Sequence, residues 1–163
     1  MPGVKHKRAK GNRAETYIAS KICEVFNLND DECFRSPWSG MANKELGDIS
    51  ILRRIREEKL PFVFESKNIE GWDLRQIWPE LGKGILGCYK QATDACVNTT
   101  FSPVLVLTKA RYPYLAIIHE DYLNKFDSKQ LYRTRTYLIK LKDNFYIFDL
   151  VDFLTYVKEI YGG

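Results

Sequence analysis

Apolar residues recur along this chain at two different spacings, and these spacings predict an alternation of helices and strands. Over residues 13–26 the apolar positions, among them Ile18, Ile22 and Phe26, return every three or four residues, as on the buried face of a helix. Asn12 stands where such a helix would need its N-cap. The elements expected after this helix are an extended piece at 33–36, paired strands at 48–55 and 60–67, a helix at 81–97, strands at 103–107, 114–119, 136–141 and 144–148, and a closing helix at 151–161. This order predicts an α/β fold in which a mixed sheet is flanked by helices.

The size and composition of the chain exclude several classes of protein. With 163 residues, of which 45% are hydrophobic, the chain is expected to fold as one domain with a full core and not to be disordered. The longest apolar runs, at 104–107 and 115–118, fall well short of the ~20 residues that cross a bilayer, so no membrane partner is expected. The basic start also lacks the apolar stretch of a signal peptide. Four cysteines without a CxxC pair or a histidine at ligand spacing argue against a zinc site and favour a cytoplasmic location.

The basic residues are unevenly distributed, although the formal net charge is only +4. Cations crowd the chain ahead of the first acidic residue, Glu15, and predict a flexible basic arm over residues 1–12 that leads into a single domain over 13–163. These cations are Lys5, Lys7, Arg8, Lys10 and Arg13. A second cluster contains Arg53 and Arg54, and a third lies at 133–135. Such clusters suit a polyanion such as nucleic acid, and the alternative is a solvated tail with ordinary surface charge.

Candidate chemistry lies on the two strands predicted at 48–55 and 60–67. The period of two along the second strand puts Glu65 and Lys67 on the same face. If the two strands form an antiparallel hairpin that turns at residues 56–57, Asp48 faces Glu65 directly. Two carboxylates so close need a cation between them, and a hard ion such as Mg²⁺ with oxygen ligands fits best, with the backbone carbonyl of Ser66 as a further ligand. The alternative is that these are ordinary solvent-facing charges on amphipathic strands.

A third acid, Glu15, falls within the apolar stripe of the first helix and so is expected to point inward. Two explanations are open. Glu15 either belongs to the acidic site or, as the third residue after Asn12, closes a capping box at the start of the helix.

The ordered set of these motifs resembles the PD-(D/E)XK nuclease superfamily, and within it the archaeal-type Holliday junction resolvases. The motifs are the Lys10-Gly11-Asn12-Arg13 start followed by Glu15, the Arg35-Ser36-Pro37-Trp38-Ser39-Gly40 loop, Gly47-Asp48, and Glu65-Ser66-Lys67. The resemblance covers residues 10–67 and implies a restriction-endonuclease-like αβββαβ core.

The resemblance also implies a role for each motif residue. Asp48 and Glu65 would hold a divalent metal, Mg²⁺ with Mn²⁺ able to substitute, and Glu15 would complete the acidic site as a further ligand or neighbour. Lys67 would orient the attacking water or stabilise charge on the phosphate, which is the charge relief that phosphodiester hydrolysis requires. Residues that would contact DNA or support activity are Arg13, Arg35, and either Ser36 or Ser39. Gln91 is a weaker candidate for a contact to the metal ligands.

The predicted function is therefore a metal-dependent DNA endonuclease that resolves four-way or other branched junctions. The resemblance implies a homodimer, and two related cuts fit a two-fold assembly. A virus-encoded chain would act inside the host cell. The alternatives are a restriction-like or repair nuclease on linear or flapped duplex, and a non-catalytic nucleic-acid binding module. The segment 68–80 departs from the resemblance, and its Trp72 and Trp78 are expected either to stack on exposed bases or, by preference, to anchor the core or a dimer contact.

Overall fold

The structure is a computed structural model that describes residues 4–37, 47–134 and 137–161, with side chains described from Asn12 onward except at Leu74. The helices in this part of the chain are α1 (Val4–Phe26), α2 (Arg53–Glu58), α3 (Lys83–Ala95), α4 (Glu120–Phe126) and α5 (Leu150–Tyr161). The strands are β1 (Cys33–Arg35), β2 (Ile49–Ile51), β3 (Phe62–Asn68), β4 (Ser102–Thr108), β5 (Leu115–His119), β6 (Ile139–Lys140) and β7 (Phe145–Asp149). Short 3₁₀ turns cover Leu74–Gln76 and Leu131–Thr134. None of the helices described here is long and apolar enough to cross a membrane.

A five-stranded mixed sheet forms the centre of the fold. Its strand order is β3-β4-β5-β7-β6, with β3 and β4 parallel and the other pairs antiparallel. Strands β1 and β2 form a separate antiparallel pair, which approaches the edge strand β3 where the Asp48 N–H donates to the Phe64 carbonyl over 2.9 Å. The predicted α/β class, with a mixed sheet flanked by helices, is confirmed.

Each face of the sheet buries its own apolar core. On one face α1 and α5 cover a cluster that includes Phe62 and Phe64. On the other face α3 covers a smaller cluster. Strand β4 is buried along its whole length because Val104 and Val106 enter the first cluster, while Leu105 and Leu107 enter the second. A strand covered on both faces reads as a continuous apolar run, which is why its sequence shows little polar alternation.

The first helix begins earlier than the sequence pattern predicted. The backbone of residues 4–12 is helical and continuous with the rest of α1, so the basic segment expected as a flexible arm is part of the helix. This segment consists mostly of good helix formers, and the cost of its one glycine, ~1 kcal/mol, is not enough to end the helix. Asn12 therefore lies inside α1, and both the N-cap assignment and the capping box with Glu15 are wrong.

The predicted hairpin between 48–55 and 60–67 is also wrong. Helix α2 stands where the first strand was expected to continue, with its Arg53 and Glu57 paired one turn apart at 2.7 Å. Strand β2 is short and pairs with β1, in a register that places Arg35 opposite Ile49. Asp48 is consequently not a cross-strand neighbour of Glu65.

Most other predicted elements are present within a few residues of their expected bounds. The structure also contains helix α4, which the sequence pattern did not predict. The imidazole Nδ1 of His119 accepts a hydrogen bond from the Asp121 N–H over 3.2 Å and caps the start of α4.

Candidate active site

Asp48 is held against the edge of β3 by the glycine before it. Gly47 has a φ of 83°, a left-handed conformation that favours glycine. A Cβ at this position would lie 2.5 Å from the Phe64 carbonyl oxygen, so only glycine allows the two backbones to approach this closely. The Asp48 side chain is 3% exposed, and its Oδ2 accepts a hydrogen bond from the Ser66 N–H over 2.8 Å. Asp48 thus binds the amide between Glu65 and Lys67.

Glu65 and Lys67 form a pair on the face of β3 that is turned toward α3. The Lys67 Nζ lies 3.0 Å from the Glu65 Oε1, and the Glu65 side chain is almost fully buried while that of Lys67 is 31% exposed. Burial raises the pKa of the Cys88 thiol on α3. The charges of the pair also affect this pKa, since Lys67 lowers it and Glu65 raises it. The prediction that Glu65 and Lys67 share one face is confirmed, since the phenylalanines of β3 lie in the opposite core.

Glu15 lies on the inner face of α1, where it meets β1. Its Oε2 accepts a hydrogen bond from the Arg35 Nε over 2.8 Å, and the Arg35 Nη2 donates to the Asn12 Oδ1 over 2.8 Å. The residue that follows this strand, Ser36, is buried and its N–H donates to the Asp48 carbonyl over 2.8 Å. Strand β1 therefore connects the Glu15–Arg35 pair to the backbone of Asp48.

In a comparison with known protein families, the chain matches the family described as "Phage putative PDDEXK endonuclease" over residues 6–160. The chain belongs to this phage PDDEXK endonuclease family. A search of curated proteins and a search of solved structures found no match. Membership confirms the resemblance to the PD-(D/E)XK superfamily and indicates a hydrolytic nuclease with DNA as its substrate. PD-(D/E)XK nucleases generally use divalent metals.

The candidate metal ligands of this PDDEXK endonuclease are all oxygen atoms. In an extended strand the N–H and C=O of one residue point to the same side, so the Ser66 carbonyl is directed to the side from which Asp48 binds the Ser66 N–H. Asp48, Glu65 and the Ser66 carbonyl could hold a hard divalent cation, for which oxygen ligands are preferred. Within residues 4–37, 47–134 and 137–161 no group of three or more His, Cys, Asp or Glu side chains is arranged to hold a metal. A cation at this site would therefore rely on two carboxylates and on backbone or water oxygens.

The structure does not bring all of the predicted DNA-contacting residues to the site. Arg53 and Arg54 lie on α2. Arg56 of this helix donates to the carbonyl of Phe62, the first residue of β3, so α2 lies at the opposite end of β3 from Lys67. Arg53 is paired with Glu57 and Arg54 with Glu32, and their contact with DNA stays a prediction.

Other predicted contacts lie nearer the site or outside the described residues. Arg13 is exposed on α1 and borders a shallow groove together with Tyr17. Gln91 is exposed on α3, one turn after Cys88. Ser39 lies outside the described residues, as do the side chains of Lys5, Lys7, Arg8 and Lys10, whose backbone belongs to α1.

Two features of the site are absent from the sequence-based prediction. The role of Asn12 as a partner of Arg35 was hidden because an Asn before an apolar stripe is also typical of an N-cap. The position of Cys88 beside the Glu65–Lys67 pair depends on the packing of α3 against β3, which no local pattern encodes. Of the two tryptophans, Trp72 is a core residue at 4% exposure, as preferred, whereas Trp78 is 49% exposed.

Proposed function

We propose that this protein is a Mg²⁺-dependent endodeoxyribonuclease that resolves four-way, or Holliday, and other branched DNA junctions by paired hydrolysis of phosphodiester bonds. The observation that carries the proposal is the hydrogen bond from the Ser66 N–H to the Asp48 carboxylate, 2.8 Å long. It gathers two buried acids and a lysine around three successive residues of β3. Each part of that arrangement has a role in phosphodiester hydrolysis.

The two acids of the site serve to bind and orient. Asp48 and Glu65, with the Ser66 carbonyl, would hold Mg²⁺, and Mn²⁺ would substitute because it accepts the same oxygen ligands. The bound cation would supply a nucleophilic water at neutral pH and relieve charge on the phosphate. Glu15, held by Arg35, would complete the acidic edge of the site or support it from α1.

Lys67 is proposed to act on the phosphate or on the attacking water. Its ammonium is fixed by Glu65 at 3.0 Å, and the Lys67 side chain is 31% exposed, so it is oriented and still able to meet a substrate. A cation aimed at the position where negative charge builds up stabilises the transition state most effectively in a partly desolvated site. Arg13, Arg35 and Ser36 or Ser39 are proposed to bind the DNA backbone around this position.

The choice of branched DNA and of a homodimer rests on the resemblance of residues 10–67 to archaeal-type resolvases. Resolution of a junction requires two related cuts, and a two-fold dimer presents two identical sites at once. We propose that the protein acts inside the cell, in the cytoplasm, where recombination or repair of DNA generates such junctions.

The substrate is tested by comparing an immobile four-way junction with a linear duplex built from the same arm sequences. Both DNAs are incubated in Mg²⁺, with EDTA as the control, and the position of each nick is mapped on a denaturing gel. The proposal predicts symmetric, paired nicks on the junction alone and a dimer in analytical ultracentrifugation. Equal cutting of both DNAs would contradict the resolvase assignment and favour a restriction-like or repair nuclease, and binding without cutting would favour a non-catalytic module.

A further inference from the structure

The loop between β4 and β5 lies at the same end of the sheet as the candidate active site, where strands β3 and β4 end. Strands β3 and β4 are parallel, and Lys67 is in register with Leu107. Lys109 follows two residues later, which corresponds to ~7 Å along the strand direction. Side chains on this loop are therefore within reach of DNA that is bound at Lys67.

Three side chains form a compact aromatic platform here, which we define as Trp72, Lys109 and Tyr112. The Lys109 Nζ lies 4.9 Å from the Tyr112 ring centroid and 5.4 Å from that of Trp72. It also donates a hydrogen bond to the Trp72 carbonyl over 2.8 Å. The two rings meet edge to face with centroids 5.4 Å apart.

Burial is divided very unequally between the two rings. Trp72 is 4% exposed and belongs to the core under α3, whereas Tyr112 is 51% exposed. The loop itself is tightly turned, since the Tyr112 N–H donates to the Lys109 carbonyl over 3.1 Å and Arg111 has a φ of 66°. Tyr112 is thus an exposed ring held from below by a buried ring and a fixed ammonium.

Preorganisation distinguishes Tyr112 from an ordinary exposed aromatic residue. Isolated exposed apolar side chains are common and need no explanation. A ring already fixed by two neighbours loses little rotamer freedom when a partner binds, so more of the contact energy remains as affinity. The exposed Arg111 beside it adds a positive charge, which suits a partner that combines a flat ring with a phosphate.

An unpaired nucleotide is the partner with this chemistry. In a duplex the faces of the bases are covered by their neighbours in the stack, whereas an unpaired base presents a free face to an aromatic side chain. We propose that Tyr112, supported by Trp72 and Lys109, stacks on an unpaired base of the DNA bound at Asp48, Glu65 and Lys67. The inference rests on the proposed nuclease function and adds to it a preference for DNA that has an unpaired base beside the cut.

The test measures binding and stacking without cleavage, in full-length protein that carries Lys67→Ala. Two DNAs of the same sequence are compared, a fully paired duplex and a forked duplex with 2-aminopurine at the first unpaired position. Affinity is measured by fluorescence anisotropy of a 5′ label, and stacking by quenching of the 2-aminopurine. Tyr112 is changed to Ala, to Leu and to Phe in this background.

The expected result follows from the loss of the ring. Tyr112→Ala and Tyr112→Leu each raise the Kd for the forked DNA about tenfold, equivalent to ~1.4 kcal/mol, and abolish the quenching. Tyr112→Phe keeps the ring and preserves both signals. The Kd for the paired duplex changes less than about twofold in all three variants, because the duplex offers no free base face. Leu131→Ala, a change at an exposed apolar residue of the 3₁₀ turn Leu131–Thr134, alters the Kd for neither DNA.

Two outcomes would overturn the inference, and a third would overturn the proposed function. If Tyr112→Ala binds the forked DNA as tightly as its parent, the platform does not contact the base. If it loses affinity equally for the forked and paired DNAs, the loop is a general backbone contact. Failure of the parent to bind either DNA, together with no cleavage by the wild-type protein, would instead remove the proposed function itself.

Discussion

Replacing Gly47 by alanine is expected to displace Asp48 from the edge of β3. The added Cβ would lie 2.5 Å from the Phe64 carbonyl oxygen and 2.8 Å from the Val63 Cγ1. The backbone oxygen belongs to a strand of the central sheet and has little freedom to move. The backbone at residues 47–48 must therefore move away from β3. This movement breaks the hydrogen bond from the Asp48 N–H to the Phe64 carbonyl.

The magnitude of the Gly47→Ala effect can be worked from these contacts. A non-glycine residue in the left-handed conformation costs ~1–2 kcal/mol, and loss of one backbone hydrogen bond costs ~0.5–1.5 kcal/mol. The free energy of unfolding should therefore fall by about 1.5–3.5 kcal/mol. A shift of about 1 Å in a catalytic group lowers the rate on the order of 100-fold, so DNA cleavage should fall more than stability alone explains.

Two assays and one matched control check the Gly47→Ala prediction. Urea unfolding followed by tryptophan fluorescence gives the free energy of unfolding, and single-turnover cleavage gives the rate. Gly71→Ala is the control, because its Cβ would meet no atom within 4 Å, and it should lie within about 0.5 kcal/mol of the wild-type protein. A Gly47→Ala protein with wild-type stability and cleavage would refute the role of Gly47 in placing Asp48.

Three further predictions concern the core, α3 and the thiol beside the site. Arg56 is 4% exposed and donates to two backbone carbonyls, each over 3.1 Å, so Arg56→Met should lower the free energy of unfolding by about 2–4 kcal/mol in urea. Gly84 is the second residue of α3 and has open space at its Cβ position, so Gly84→Ala should raise that free energy by about 0.4–1 kcal/mol because the unfolded chain loses freedom. Lys67 lowers the pKa of the Cys88 thiol, so Lys67→Ala should raise this pKa and shift alkylation of Cys88 to higher pH, measured by peptide mass spectrometry.

Each of these predictions has an outcome that would contradict it. Wild-type stability of Arg56→Met would mean that the two carbonyls find other partners. A less stable Gly84→Ala protein would show that α3 needs the glycine for packing. An alkylation profile of Cys88 that is unchanged, or shifted to lower pH, in Lys67→Ala would contradict the electrostatic contact between the two side chains.

The strands that carry the central sheet were predictable because their burial is encoded locally. The alternation in β3 separates its phenylalanines from Glu65 and Lys67, and the structure places the two sets on opposite faces. The apolar run of β4 and the helical spacing of α5 likewise match the observed elements. The superfamily was also predictable, because the motif residues that resemble those of PD-(D/E)XK nucleases can be read directly from their order along the chain.

The connections between elements were not predictable from local patterns. The apolar positions of β2 continue to Ile55, so the sequence resembles one long strand, but the chain turns into α2 after Leu52. What fixes this turn is tertiary, because the Arg56 guanidinium bonds to the carbonyls of Ile49 and Phe62 across the fold. Tertiary contacts of this kind override strand propensity.

The contact that organises the site was also hidden from the sequence. A side-chain carboxylate bound to a backbone amide, as in Asp48 and Ser66, leaves no residue-type signature at the amide. The hairpin hypothesis brought Asp48 toward Glu65 by a different path. It predicted the right neighbourhood for Asp48 through the wrong strand pairing.

The most direct test of the account is the cleavage rate of a four-way junction by single-site variants in Mg²⁺. Asp48→Ala, Glu65→Ala and Lys67→Ala are compared with Asp152→Ala, an exposed acid on α5, while circular dichroism and DNA binding are followed in parallel. The account predicts that the three site variants fold and bind DNA but lose cleavage by at least about 100-fold, while Asp152→Ala cleaves normally. Near-normal cleavage by any one of the three would remove that residue from the site, and near-normal cleavage by all three would contradict the assignment of the active site.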